Sequence, residues 1–209
     1  MAACVAVAAS AVPAAANTTP LGTTVIQYTS ASAATCDRPS FTQPLRAYGD
    51  SRWYVLAPNG SFTNSVAPGW QLRNGAKLAT DAARGVSLVL PPGGSAISPG
   101  MCVDLDYPHF RFFNKFVAKD PAGGKILVEV VYPQLASPEW TDVIEFDGKA
   151  SQLAGAGNWR LSQDVELKPD FAGDTPGARY VALRFTALKT GYAGEWRVDD
   201  IWIDPRMKS

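Results

Sequence analysis

The sequence predicts an all-β protein folded as a two-sheet β-sandwich with one disulfide. Three observations lead to this fold class. Segments in which apolar and polar residues alternate recur at short intervals, Gly and Pro separate them, and no useful window carries the apolar stripe of an amphipathic helix. Short strands separated by such turns are typical of a sandwich or a barrel.

The size and charge of the chain narrow the classes of partner. Its 209 residues are enough for one full-sized domain or two very small ones. There are 19 basic and 19 acidic residues. Because nucleic acids and anionic membranes attract proteins with a surplus of Lys and Arg, the balanced charge argues against both as partners. No pattern indicates an oligomeric state.

The amino-terminal residues 1–16 carry no charge and are all small or apolar. They resemble the apolar core of a secretory signal peptide, and Ala14-Ala15-Ala16 fits a cleavage site. A basic residue ahead of the apolar run is missing, and a disordered Ala-rich tail is the alternative interpretation. The run is shorter than the ~20 residues that span a bilayer, and no later stretch is apolar enough. We therefore expect a secreted, extracellular protein without membrane insertion.

Two further regions follow this segment. Residues 17–35 are rich in Thr, Ser and Ala and are interpreted as a flexible leader. Residues 36–209 are interpreted as the β-sandwich domain, which then contains two cysteines, Cys36 and Cys102. In an exported protein two such cysteines usually pair, so a disulfide between them is expected. With His109 as the only histidine and no CxxC motif, a metal-binding or nucleophilic role for these thiols is not expected.

Six strands are predicted from period-2 alternation. They span residues 85–90, 109–117, 125–132, 159–167, 179–188 and 195–204. In the last one, Trp196 and Val198 are out of register by one residue with Ile201 and Ile203. A β-bulge at Asp199-Asp200 would bring both apolar pairs into the core, so a bulge is predicted there.

Two motifs resemble the jelly-roll carbohydrate-binding modules. Residues 59–62 (NGSF), followed by Gly69-Trp70, are similar to the N-G-x-F-E and G-W elements of the first strand of those modules. Residues 196–201 (WRVDDI) are similar to their closing W-x-[IV]-D-D-[IV] strand. From residue 36 onward the chain also resembles a group of uncharacterised secreted actinobacterial proteins, in residues 54–62, 102–103 and 111–113. The resemblance implies a jelly-roll-like sandwich whose first and last strands are neighbours.

The same resemblance implies a structural calcium ion held between the N-G-x-F-E and D-D segments, here by Asp199 and Asp200. Carboxylate and carbonyl oxygens suit that ion. The sequence departs from the pattern because Thr63 stands where the modules carry Glu. The alternative is that both aspartates belong to a bulge with surface hydrogen bonds. No other cofactor is expected.

Candidate ligand-binding residues are aromatic side chains in turn-like, polar surroundings. Sugar-binding proteins place aromatic faces against the apolar faces of sugar rings. Four residues fit this description: Trp53, Tyr54, Trp140 and Tyr192. Trp70, Trp196 and the Phe112-Phe113 pair are instead expected in the core.

Three functions follow from these features. The leading hypothesis is a secreted, non-catalytic binding domain for a carbohydrate or a cell-wall polymer. The second is a structural or adhesive cell-surface protein that acts through protein–protein contacts. The third is a jelly-roll glycosidase-like enzyme, for which Glu145 and Asp147 are the nearest pair of carboxylates.

Overall fold

The computed structural model describes residues 40–63, 65–103, 109–118, 124–131, 140–148, 158–167, 179–189 and 194–204. Within these ranges the chain forms one 3-10 helix, Arg46–Tyr48, and thirteen β-strands. The strands are β1 (Val55–Leu56), β2 (Gln71–Arg73), β3 (Lys77–Asp81), β4 (Gly85–Leu90), β5 (Ser95–Ile97), β6 (Met101–Val103), β7 (His109–Ala118), β8 (Gly124–Val131), β9 (Trp140–Gly148), β10 (Arg160–Leu161), β11 (Val165–Glu166), β12 (Arg179–Ala187) and β13 (Gly194–Asp204).

These strands form two antiparallel sheets. In the first, which we call the seven-stranded sheet, the order is β10-β7-β13-β4-β3, with β1 beside β13 and β11 beside β7. In the second, the six-stranded sheet, the order is β2-β5-β12-β8-β9, with β6 beside β12. The described residues thus confirm the all-β, two-sheet sandwich. Strand β1 pairs with the end of β13 through Val55 and Ile203, so the first and last strands are neighbours.

The core lies between the two sheets and is built by alternate residues of each strand. Inward-facing side chains of β7, β8, β12 and β13 join one cluster of buried apolar residues. Trp70 is 8% exposed and Trp196 1%, as expected for core tryptophans. Phe112 is fully buried in this cluster, whereas Phe113, also buried, faces the opposite side of the sheet.

The predicted bulge in β13 is confirmed. The pairing of β13 with β7 changes register between Asp199 and Trp202, and Asp200 has a φ of +46°. As a result, Val198 and Ile201 both reach the buried cluster between the sheets. The carboxylates of Asp199 and Asp200 lie together on the outer face of the seven-stranded sheet, where both contact Arg84.

The strand predicted over residues 159–167 is instead two short strands, β10 and β11. The Ser162 hydroxyl oxygen accepts the backbone N–H of Phe112 at 3.1 Å, while the Ser162 carbonyl accepts two hydrogen bonds from Arg111, at 2.7 and 3.1 Å. A side chain therefore replaces the backbone acceptor in the ladder. The alternation of residues 159–167 does not reveal this break in the strand, because the donor to Ser162, the backbone N–H of Phe112, lies on β7.

The N-G-S-F segment at residues 59–62 is a turn, not the first strand expected from the resemblance. Asn59 and Phe62 have φ values of +54° and +50°. The turn is hydrogen-bonded to the bulge: Ile201 donates its N–H to the Gly60 carbonyl at 3.2 Å and accepts from Ala57 at 2.8 Å. A Cβ at Gly60 would lie 3.3 Å from the Cβ of Ile201, so glycine permits this close approach.

The outer face of the six-stranded sheet is closed to solvent at its centre. Ile97, Val131 and Ala182 form a small buried cluster there. Beside them the Glu129 carboxylate, itself buried, pairs with the Arg184 guanidinium. These positions therefore offer no solvent-facing platform.

Several predictions concern residues outside the described part of the chain. These are the segments 1–16 and 17–35, Cys36, and the side chain of Cys102, whose backbone pairs with Tyr180. The disulfide therefore stays a prediction. In the described ranges, no helix has both the length and the apolar character needed to cross a bilayer.

Candidate functional site

Residues 40–54, which we call the aromatic loop, lie on the outer face of the seven-stranded sheet. The loop closes on itself where Thr42 and Tyr54 exchange backbone hydrogen bonds of 2.9 and 2.7 Å. Two of its side chains, Leu45 and Tyr54, are fully buried and pack with Phe113 of β7. The loop is therefore fixed to the sheet by an apolar contact of its own.

Three aromatic side chains of this loop face solvent. Phe41 is 37% exposed, Tyr48 57% and Trp53 43%. Among the described residues, the fourth large hydrophobic side chain with such exposure is Val66. Exposed aromatic area is thus concentrated on one loop, and such a concentration marks a binding surface more often than scattered exposure does.

The backbone places two of these rings near one another. Because Thr42 pairs with Tyr54 in antiparallel register, Phe41 and Trp53 are diagonal neighbours on the same face of the two-stranded ribbon. Cβ atoms in such positions are ~7 Å apart, within reach of aromatic side chains. The two exposed rings therefore come from neighbouring positions of the ribbon.

A buried ion network holds the loop in place. The Asp50 carboxylate accepts hydrogen bonds from Arg52 at 2.6 Å, from the Tyr54 hydroxyl at 2.6 Å and from Arg111 of β7 at 2.7 Å. Arg52 also donates to Asp204 at the end of β13, at 2.8 Å. The network links the loop to both central strands of the sheet, and it does so next to Trp53.

The network shifts the pKa of its members in the directions expected for paired groups. Hydrogen bonds from Arg52, Tyr54 and Arg111 hold the pKa of Asp50 far below its ordinary value, in spite of its burial. Burial, together with the hydrogen bond to Asp50, raises the pKa of Tyr54. Burial also raises the pKa of Asp204, which Arg52 opposes. At neutral pH Asp50 is therefore ionised and Tyr54 is a neutral donor.

The exposed ring of Tyr48 packs against a second group of side chains. It meets Phe113 edge to face, with 5.0 Å between ring centroids. The Arg84 guanidinium carbon lies 3.7 Å from the Phe113 ring centroid, a cation–π contact. Trp159 lies beyond it, 5.6 Å from the same guanidinium. Its indole N–H donates to Asp81 at 2.9 Å.

Arg84 also binds the two aspartates of the bulge. Its Nε lies 3.2 Å from Asp199 Oδ2, and its Nη2 donates to Asp200. Asp199 uses its other oxygen to accept the Asp200 backbone N–H at 2.9 Å. Burial and the neighbouring charge of Asp200 outweigh Arg84 and raise the pKa of Asp199 to about 7.

This arrangement does not fit the structural calcium that the resemblance implied. The Arg84 guanidinium already contacts both carboxylates, and Thr63 carries no third carboxylate. In the part of the chain that the structure describes, no cluster of three or more His, Cys, Asp or Glu residues could hold a metal ion. Calcium generally takes six to eight oxygen ligands, so the residues around the bulge form an ion-paired network instead.

The four predicted ligand-binding residues have different outcomes. Trp53 is exposed, as expected, whereas Tyr54 is fully buried, so its ring cannot serve as an exposed face. Trp140 belongs to β9, but its side chain lies outside the described part of the chain, as does Tyr192 altogether. Sequence reasoning missed Phe41 and Tyr48. The available signal was their setting among turn residues at positions 41–54 (FTQPLRAYGDSRWY), where four aromatics including Tyr54 occur within fourteen positions.

Comparison with solved structures identifies the fold. A carbohydrate-binding module described as specific for non-crystalline cellulose is similar with a TM-score of 0.50 at 9% identity, over 70% of this chain and 93% of that one. An arabinose-bound α-L-arabinofuranosidase gives a TM-score of 0.52 at 14% identity over 74% of this chain, which spans only 27% of the enzyme. A xylan-binding domain from Paenibacillus barcinonensis gives 0.45 at 12% identity, over 72% of this chain and 94% of that domain.

These identities are low, and the similarity therefore establishes the fold alone. The sandwich expected from the resemblance to carbohydrate-binding modules is confirmed at that level. A link to actinobacterial proteins stays a prediction. No family model and no curated protein matches the sequence.

Proposed function

We propose that this protein is a secreted, non-catalytic carbohydrate-binding domain and that the aromatic loop is its binding surface. One observation carries the proposal: Phe41, Tyr48 and Trp53 expose their rings on a single loop that a buried ion network fixes to the sheet. A fixed loop on a rigid scaffold is a common place for recognition. Because the loop is fixed to the sheet before ligand arrives, less ordering entropy opposes binding than for a free loop.

The chemistry of the loop suits sugar rings. The apolar C–H faces of a pyranose stack on aromatic rings, and its hydroxyl groups bond to polar groups at the edge of the stack. Here the half-buried guanidinium of Arg52, the residue before Trp53, and the exposed carboxylate of Asp164 are joined by a 2.8 Å hydrogen bond at the border of the loop. Both groups keep free hydrogen-bonding capacity toward solvent.

Three further observations support the proposal. The buried carboxylates of Asp50 and Asp81 on the outer face each contact an Arg or Lys side chain and have lowered pKa values, which favours a structural role for them over acid–base catalysis. The fold is shared with a module described as cellulose-specific. The amino-terminal segment that resembles a signal peptide supports secretion.

The test is a binding screen of the protein against insoluble cell-wall preparations and soluble neutral polysaccharides, with Trp53→Ala, Tyr48→Ala and Val66→Ala variants. Val66 is the matched control, because it is a large exposed apolar residue outside the loop. We expect each loop substitution to weaken binding about tenfold, since a stacked ring contributes roughly 1.4 kcal/mol. Val66→Ala should bind as the unmodified protein does.

Equal binding by all three variants would place the ligand elsewhere on the molecule. Binding to no polysaccharide in the panel would exclude carbohydrate recognition under these conditions and would favour the adhesive alternative. In that case the same variants should be compared for capture of protein partners, because exposed aromatic rings are also enriched in protein–protein interfaces.

A further inference from the structure

The bulge of β13 brings two acidic side chains to one spot. The extra residue at Asp200 turns the backbone to a positive φ of +46° and lets both carboxylates project to the outer face. The Asp199 side chain is 4% exposed and that of Asp200 is 28% exposed. Two carboxylates this close, one of them buried, destabilise the fold unless a positive charge lies between them.

Arg84 supplies that positive charge from the turn between β3 and β4. Its side chain is 16% exposed, and it contacts both carboxylates. On its other side the guanidinium lies against the Phe113 ring, 3.7 Å from the centroid. A planar guanidinium suits this position, because it can donate to two carboxylates in its plane while its face packs on an aromatic ring.

A second turn, at residues 57–60, is joined to the bulge by backbone hydrogen bonds. Ala57 and Gly60 bond to Ile201, so this turn contacts the bulge directly. Thr63, which follows this turn, adds no further carboxylate.

We propose that the positively charged guanidinium of Arg84 takes the place of a bound metal ion at this bulge, so the fold needs no divalent ion here. Arg84 joins the β3–β4 turn to β13 and offsets one of the two negative charges of the bulge. Because Arg84 is part of the chain, its positive charge is present at any calcium concentration. The inference is independent of what the aromatic loop binds.

The test is thermal unfolding at pH 8 of the unmodified protein and of Arg84→Met, Asp199→Asn and Arg84→Met/Asp199→Asn variants, each with millimolar calcium and with a chelator. Arg73→Met is the matched control, because Arg73 is also half-buried but bonds to the neutral Gln71. The melting temperature of the unmodified protein should be the same in calcium and in chelator. Arg84→Met should lower it by roughly 5–10 °C.

The double variant distinguishes charge neutralisation from simple packing. If Arg84 acts as a cation, removing the Asp199 charge should recover a large part of the loss caused by Arg84→Met. A double variant no more stable than Arg84→Met would overturn the proposal. So would a melting temperature of the unmodified protein that rises by several degrees in calcium, or an Arg84→Met loss no larger than that of Arg73→Met.

Discussion

Single residues decide how the aromatic loop is held, and Asp50 is the clearest case. It is buried and accepts hydrogen bonds from Arg52, Tyr54 and Arg111. A buried acceptor with three donors fixes the loop more firmly than an exposed ion pair could, since exposed pairs contribute ~1 kcal/mol or less. Nothing in the local sequence around Asp50 indicates this role, because Arg111 is 61 residues away.

Substitution of Asp50 by Asn should therefore destabilise the protein by about 3 kcal/mol at pH 7, because Arg52 and Arg111 lose a buried counter-charge. Urea unfolding measures this loss. Asp164→Asn is the control: Asp164 contacts Arg52 but is 40% exposed, so its loss should stay below ~1 kcal/mol. Equal losses in the two variants would contradict the assignment of Asp50 as the anchor.

The low pKa of Asp50 also predicts how stability depends on pH. The native pKa is held below the ordinary 3.8, so the unfolded chain binds the proton first as pH falls. The contribution of Asp50 is complete above about pH 5 and is lost progressively below pH 4. Unfolding curves between pH 5 and pH 2 should show a smaller loss for Asp50→Asn than for the unmodified protein. Parallel curves would be inconsistent with a paired Asp50.

At the scale of elements, the sequence predicted β4, β7, β8, β12 and β13 to within one residue at each end, but it missed the nine-residue β9 and most short strands. Strand β4 has the predicted bounds, and the β13 bulge lies where the register of its apolar residues required it. Strands of two or three residues such as β1, β10 and β11 have too few alternations to reveal a period. Their pairing depends on partners distant in sequence, as Ser162 shows with β7.

The exposure of the loop aromatics could be predicted only in part, because it also depends on contacts with residues distant in sequence. Trp53 and Tyr54 are adjacent in turn-like sequence, yet one is exposed and the other fully buried. The difference arises because the Tyr54 hydroxyl finds Asp50 and its ring packs with Phe113. The sequence shows the aromatics and the turns, but tertiary contacts decide which ring faces solvent.

The contact between the two sheets gives a prediction at this scale. The Phe116 ring of β7 lies against Gly124 of β8 and Gly194 of β13, and a Cβ at Gly124 would come within 2.3 Å of the ring. The ring cannot move freely, because it also packs on Trp196 with centroids 5.1 Å apart. Gly124→Ala should cost roughly 1–3 kcal/mol of stability by overpacking.

Replacing the Phe116 ring by the smaller Leu side chain should relieve this clash. Chemical unfolding of Gly124→Ala, Phe116→Leu and the double variant measures the coupling between the two positions. We expect Gly124→Ala to be less destabilising when Phe116 is Leu. If the two losses simply add, the ring is not what excludes a side chain at Gly124.

For the whole molecule, the two outer faces have different roles. The six-stranded sheet buries Ile97, Val131 and Ala182 on its outer side. The seven-stranded sheet carries the aromatic loop, with Tyr48 as its most exposed aromatic ring. A ligand that needs an exposed aromatic surface therefore has one described face available.

The pairing of β1 with the end of β13 has a practical consequence for how the protein is attached to a surface. The chain leaves the described fold at Asp204, which is bonded to Arg52 of the loop. The exposed Pro92 lies near the other end of β13, about 30 Å from Asp204 by strand rise. Immobilisation through a thiol introduced by Pro92→Cys should therefore leave the aromatic loop accessible and preserve ligand capture on a sensor chip.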